Sequence, residues 1–164
     1  MSKGAGIRPG WAWLRDPGHF LALGAGSGLA PWAPGTFGSM VGVGIYVLAA
    51  PLGFGACAAL LVLICAVGVP VCGRTARALG VHDHGAIVWD EVAGVFLTLL
   101  FGSGSWPSLV IGFTLFRIFD IWKPWPVRWA DARISGGVGV MVDDLLAGLY
   151  AGAGLALFEY LSYS

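Results

Sequence analysis

Three groups of charged residues stand against long apolar runs, and together they could do chemistry. Asp90 and Glu91 open one apolar block. Arg117, Asp120 and Lys123 close a second at i, i+3, i+6. Asp143 and Asp144 lie inside a third, between Gly139-Val140-Met141-Val142 and Leu145-Leu146-Ala147. Carboxylates beside or within apolar helices are costly to desolvate, so their placement there points to a functional site. Gathered at one face, they form an oxygen-rich donor set that suits Mg²⁺ rather than Zn²⁺, and no Cys/His ligand pattern competes. Neighbours on a helix point about 100° apart. Asp90 and Glu91 are therefore expected not to face one ion together: one ligates while the other holds a nearby group or a second ion. Asp144, Gly148 and Gly152 form an i, i+4, i+8 stripe, which puts Asp144 on the close-packed face of its helix and points Asp143 elsewhere. Arg117 and Asp120 can pair on one helix face. Arg117 as a fork and Lys123 as a point charge can hold phosphate oxygens. Plainer readings exist, since Asp90-Glu91 would complement a helix dipole and Arg117-Asp120 would make a helix-end ion pair. Neither accounts for two adjacent carboxylates embedded in an apolar helix.

Fainter signals surround these groups. In Ala33-Pro34-Gly35-Thr36-Phe37-Gly38-Ser39 the glycines, Thr36 and Ser39 enter an apolar helix, where free N–H groups and hydroxyls can meet an anion. Asp83 and His84 are weaker candidates, with His84 placed for proton transfer. His19 reads as an interfacial residue. Gly24-Ala25-Gly26-Ser27-Gly28 has the wrong spacing for a dinucleotide loop, and no strand precedes it. Cys57, Cys65 and Cys72 share one apolar stretch and form no disulfide framework, so they read as buried, inert thiols. The eight tryptophans cluster near segment ends, as interfacial belts do.

The elements that must position these residues are apolar. Pro17 to Gly73 is 57 residues without Lys, Arg, Asp or Glu; Val92 to Phe116 adds 25 and Leu145 to Phe158 a further 14. Only 11% of the chain is charged, against roughly 25% in soluble domains. The net charge is zero, which argues against a nucleic-acid partner. No signal peptide is visible, because a polar, Pro/Gly-rich stretch precedes the first apolar block. Five segments follow from punctuation, at about Phe37–Ala50, Phe54–Gly73, Ile87–Gly102, Pro107–Trp122 and Gly139–Leu161. The first is short for a span of roughly 20 residues. Gly38/Gly42 and Gly148/Gly152 offer small-xxx-small spacings for close helix packing. The expected fold is all-α: a membrane-embedded bundle of four to five transmembrane helices in one domain, 1–164, with an N-terminal cytoplasmic extension over 1–18. With that N-terminus inside, five spans put all nine basic residues on the cytoplasmic side, and only Glu159 among the nine acids lies outside. The site is thus expected at the cytoplasmic face.

Four runs together resemble a known family. They are Gly26-Ser27-Gly28-Leu29-Ala30-Pro31 with Pro34-Gly35-Thr36 and Gly38-Ser39; Asp83-His84-Gly85 with Ile87-Val88-Trp89-Asp90-Glu91; Arg117 with Phe119-Asp120 and Lys123-Pro124-Trp125-Pro126; and Gly136-Gly137, Gly139 and Met141-Val142-Asp143-Asp144 with Ala147-Gly148. In this order they resemble bacterial phosphatidylglycerophosphatase A across about Pro17 to Gly154. The resemblance implies an integral inner-membrane, Mg²⁺-dependent phosphatase of phospholipid biosynthesis, converting phosphatidylglycerophosphate to phosphatidylglycerol. On this reading carboxylates drawn from Asp90, Glu91, Asp120, Asp143 and Asp144 do the catalytic work, with Asp90, Glu91, Asp143 and Asp144 as metal ligands. Thr36, Ser39, Arg117 and Lys123 bind the phosphate. Two rivals are weighed. A CDP-alcohol phosphotransferase would want Asp-Gly and later Asp residues spaced by helical turns, which Asp131-Ala132-Arg133 followed by Asp143-Asp144 does not supply. A non-catalytic scaffold or ion pathway would bury its charges near the midplane rather than at one face.

Overall fold

The computed structural model describes residues 7–81 and 84–162, and every regular element in them is helical. Local chemistry sets the boundaries. Helix α1 (Pro17–Ala22) is capped by Asp16, whose carboxylate accepts from the N–H groups of Gly18 and His19. Helix α2 (Pro34–Ala49) starts on a proline, whose missing N–H costs nothing in a first turn, and gives way to a 3₁₀ turn at Pro51. Helix α3 (Phe54–Leu79) runs six residues past Gly73, where the apolar run stops. It ends only at Gly80, which takes the left-handed conformation of a C-terminal cap. Helix α4 (Trp89–Leu99) carries both of its acids in its first turn. Helix α5 (Trp106–Trp122) begins on the Ser105 cap and ends at Lys123, which is itself left-handed with φ 47°. A short helix α6 (Val127–Arg133), absent from the sequence reading, leads into α7 (Gly136–Ser162).

Each of the five apolar segments thus becomes a helix, but the helices are unequal. Three are long and apolar enough to cross a membrane: Pro34–Leu52, Phe54–Leu79 and Gly136–Ser162. With 17 residues, α5 sits at the lower limit for a span. With 11 residues, α4 reaches about 16 Å, roughly half the hydrocarbon thickness. Its apolar character has another cause. Nine of its residues are buried, and it is enclosed by α7, α2, α5 and α3. It is the core of the bundle rather than a lipid-facing rod.

Small residues allow that enclosure. A Cβ on Gly148 would come within 2.5 Å of the Gly94 carbonyl oxygen, so α4 and α7 meet backbone to backbone. Thr98 Oγ1 shares its proton between Gly94 O at 3.0 Å and Gly148 O at 3.2 Å. Gly38 and Gly42 likewise bring α2 onto Val88, Val92 and Val95. Both small-xxx-small pairs therefore mark real contacts.

Residues 16–22 pack on the end of α3. Asp16 pairs with Arg74 at 2.7 Å, and His19 Nδ1 lies 2.9 Å from Thr75 Oγ1. That bond makes His19 a packing residue. The glycine run after α1 holds three consecutive positive φ angles, at Gly24, Ala25 and Gly26. It brings Gly28 so close to the Ala86 carbonyl that any side chain there would collide. With the Val88 N–H donated to Ala22 O at 2.9 Å, this segment fixes where α4 starts. Trp89, expected at an interface, instead donates its indole N–H to Ile64 O of α3 at 3.0 Å. Cys57 and Cys72 are buried and Cys65 partly so, and none of the three is in a disulfide.

Candidate active site

Three helix ends and one helix interior converge on a cavity of about 450 Å³, lined by residues that include Asp90, Glu91, Arg117, Asp120, Lys123, Asp143 and Asp144. All three of the sequence's charged groups therefore meet. The start of α4 supplies Asp90 and Glu91, the end of α5 supplies Arg117, Asp120 and Lys123, and α7 supplies Asp143 and Asp144. The start of α2 closes the cavity with Ala33, Pro34 and Gly35. A Cβ on Gly35 would run into Glu91 Oε1 and crowd Arg117, so a side chain there would displace the Glu91 carboxylate.

Within the cavity the charges divide into two sets. Asp90, Glu91 and Asp144 each offer an oxygen, and the three oxygens lie within 4.8 Å of one another. All three residues are buried, and Asp90 Oδ1 and Asp144 Oδ2 have no hydrogen-bond partner. Buried acceptors left in this way call for a cation or a donor. This corrects the expectation that Asp90 and Glu91 could not serve one ion. The 100° between them holds for the Cα–Cβ bonds, but their flexible carboxylate arms in the first turn of α4 reach a common point opposite Asp144. Asp143 does not point away as expected. It lines the same cavity and pairs with Lys123 at 2.6 Å, outside the group of three.

The second set is cationic. Arg117 Nη1 pairs with Asp120 at 2.6 Å, the i, i+3 contact the spacing predicts, and reaches Ser39 Oγ at 3.4 Å. Lys123 Nζ is held by Asp143 at 2.6 Å and by Asp131 at 3.0 Å. Burial alone would pull the Lys123 ammonium down, but Asp143 and then Asp131 hold it well above its ordinary value, so it is a fixed positive charge. Its left-handed backbone, which costs about 1–2 kcal/mol in a non-glycine residue, turns the side chain back toward α7. Ala33, on the opposite rim, is left-handed too. Five carboxylates face two cations here, which leaves an excess of three negative charges when all are ionised.

Other expected residues fall elsewhere. Thr36 does not line the cavity, and Ser39 acts only through Arg117 and its own bond to Gly35 O at 2.8 Å. His84 is outside the lining, and its Nδ1 accepts from the Ala86 N–H at 3.1 Å. Asp83 lies outside the described residues. Asp131, the partner of Lys123, was not foreseen in the site. It sits eight residues on, across the Pro124–Pro126 turn, where no helical period could reveal it.

The family model described as Phosphatidylglycerophosphatase A matches residues 20–159, which takes in every residue lining the cavity. The chain belongs to the phosphatidylglycerophosphatase A family. It is 43% identical over 146 residues to "Phosphatidylglycerophosphatase A" of Escherichia coli (strain K12), covering 88% of this chain and 84% of the relative. It is 45% identical over 141 residues to the protein of the same name from Haemophilus influenzae, covering 84% and 86%. A Bacteroides thetaiotaomicron relative, 41% identical over 142 residues and covering 80% and 86%, carries the name "Putative phosphatidylinositol-3-phosphatase". No solved structure matches the chain. Membership of the phosphatidylglycerophosphatase A family makes the chain a phosphoric monoester hydrolase.

Proposed function

We propose that this protein hydrolyses the terminal phosphomonoester of phosphatidylglycerophosphate to give phosphatidylglycerol, a step of phospholipid synthesis, from the cytoplasmic face of a bacterial inner membrane. The observation that carries the reading is the convergence of Asp90, Glu91 and Asp144 beneath the fixed cations Arg117 and Lys123. An all-oxygen, carboxylate-rich set with unsatisfied buried acceptors fits Mg²⁺. Asp90, Glu91 and Asp144 would hold it. When bound, Mg²⁺ supplies charge neutralisation and an acidified water.

The chain's own side chains do the rest. Arg117 and Lys123 bind the equatorial phosphate oxygens and offset the charge that grows as the ester P–O bond breaks. Asp120 aims the guanidinium, and Asp143 with Asp131 keeps the ammonium charged and in place. Water adds to phosphorus, the ester bond breaks, and the proton that water loses is taken up by the released alkoxide. Trapping a phosphorylated aspartate would replace this with a two-step route through the protein.

The test is phosphate release by detergent-purified protein from phosphatidylglycerophosphate, with and without Mg²⁺, beside phosphatidic acid. Mg²⁺-dependent release from the first lipid alone is the expected result. Release from neither lipid would overturn the reading. Comparable release from both would make this a general lipid phosphatase, a breadth that the Bacteroides relative's name gives reason to check.

A further inference from the structure

We propose that the outer face of α5 is the seat of a substrate acyl chain, so that the lipid enters the site sideways from one leaflet without leaving the membrane. The proposal deepens the reading above and rests on it. A groove of about 660 Å³ runs along α5, lined by Phe113, Thr114, Arg117, Ile118, Ile121 and Trp122. Arg117 and Ile121 also line the carboxylate cavity, so groove and cavity are neighbours that share a wall on one helix. A ligand that fills both must be apolar at one end and anionic at the other.

Three further observations fit a chain of this kind. The groove is apolar, and its one hydroxyl is already spent: Thr114 Oγ1 donates to Val110 O at 2.8 Å, which lets a hydrocarbon lie over it without stranding a donor. Ile118 is 49% exposed, Ile121 73% and Trp122 72%, so the face is open to whatever surrounds the bundle. From Phe113 to Trp122 the helix rises about 13 Å, close to half of a hydrocarbon core of about 30 Å. That depth matches a single leaflet, with Trp122 at the headgroup level where interfacial tryptophans sit and the phosphate-binding cations beside it. Guidance by the groove would place the phosphomonoester at Arg117 and Lys123 before any chemistry.

The experiment uses the full-length protein in lipid nanodiscs and phosphatidylglycerophosphate carrying a photoactivatable diazirine in its acyl chain. After illumination, labelled peptides are mapped by mass spectrometry. Labels are expected on Phe113 to Trp122. Excess unlabelled phosphatidylglycerophosphate should suppress them, and phosphatidylcholine should not. Labelling centred on α2 or α7, or suppression by both lipids alike, overturns the proposal, because surrounding bulk lipid would then be what is seen. A second arm fills the groove with Thr114→Phe and Ile118→Trp and compares kcat/KM for hexadecanoyl and hexanoyl forms of the substrate. The long-over-short ratio should fall at least about tenfold, the effect of denying a few methylenes their burial. An unchanged ratio overturns the proposal. If wild-type protein cleaves neither form while competition labelling still marks α5, the activity reading fails and the groove stands.

Discussion

Asp144 is the carboxylate on which the proposed site depends most, because it alone brings α7 into the group of three. Asp144→Asn is expected to lower turnover by at least about 10²-fold while the protein still inserts and purifies; near-normal phosphate release would remove Asp144 from the site. Lys123→Met tests the cationic half. It leaves Asp143, 5% exposed, without its ammonium, so both activity and melting temperature should fall. The stability loss should be about 1–3 kcal/mol, a buried-pair value reduced because the lysine side chain is partly wet. The double variant Lys123→Met/Asp143→Asn should regain the melting temperature but not the activity, and recovery of both would reduce the pair to scaffolding. The pair's pH dependence follows from its sign. A lysine raised above its ordinary value of 10.5 gives its full stabilisation below that value and loses it only as pH climbs through the still higher folded one. Across pH 6 to 9 the melting difference between wild type and Lys123→Met/Asp143→Asn, which removes both charges of the pair, should therefore stay flat. The charged residues themselves were legible because each interrupts an apolar run. Asp131 was not, since a Pro-Trp-Pro turn separates it from Lys123 and breaks the period that would have paired them.

Helix α4 shows where sequence pattern misleads. An apolar run between turn signals reads as a span, yet the same run describes a helix buried on all sides, and the 11 residues of α4 are of the second kind. The other four segments were recovered as helices because lipid-length runs between prolines and glycines leave little choice. Their ends were missed where a polar turn such as Arg74–Leu79 continues the helix. Backbone contact between α4 and α7 gives a paired test. Gly148→Ala drives a Cβ into the Gly94 carbonyl and should cost about 1–3 kcal/mol of stability, with activity reduced at least about tenfold as Asp144 shifts relative to Asp90 and Glu91. Gly44→Ala meets open space and should leave stability equal or raise it by up to about 1 kcal/mol. Equal melting curves for the two variants would contradict the close α4–α7 approach.

Taken whole, the molecule places a three-charge anionic excess inside an apolar bundle, so a divalent ion should stabilise the fold as well as serve catalysis. Saturating Mg²⁺ should raise the melting temperature in detergent by several degrees, the shift expected of roughly 2–3 kcal/mol of binding linkage. Asp90→Asn should abolish the rise. A melting temperature that ignores Mg²⁺ at every concentration would remove the ion from the account. That the charged groups could gather was readable from their positions against the apolar runs, whereas the shape of the cavity was not, because it depends on how three helix ends meet the interior of α7. The enclosure of α4 also has a meaning for biosynthesis. Asp90 and Glu91 leave the ribosome more than fifty residues before Asp144, and α7, which covers their helix, is made after them. Until α7 arrives, the nascent chain holds two carboxylates without their third and a core helix without its cover. The order of synthesis thus keeps the three-carboxylate group incomplete until α7 has been made.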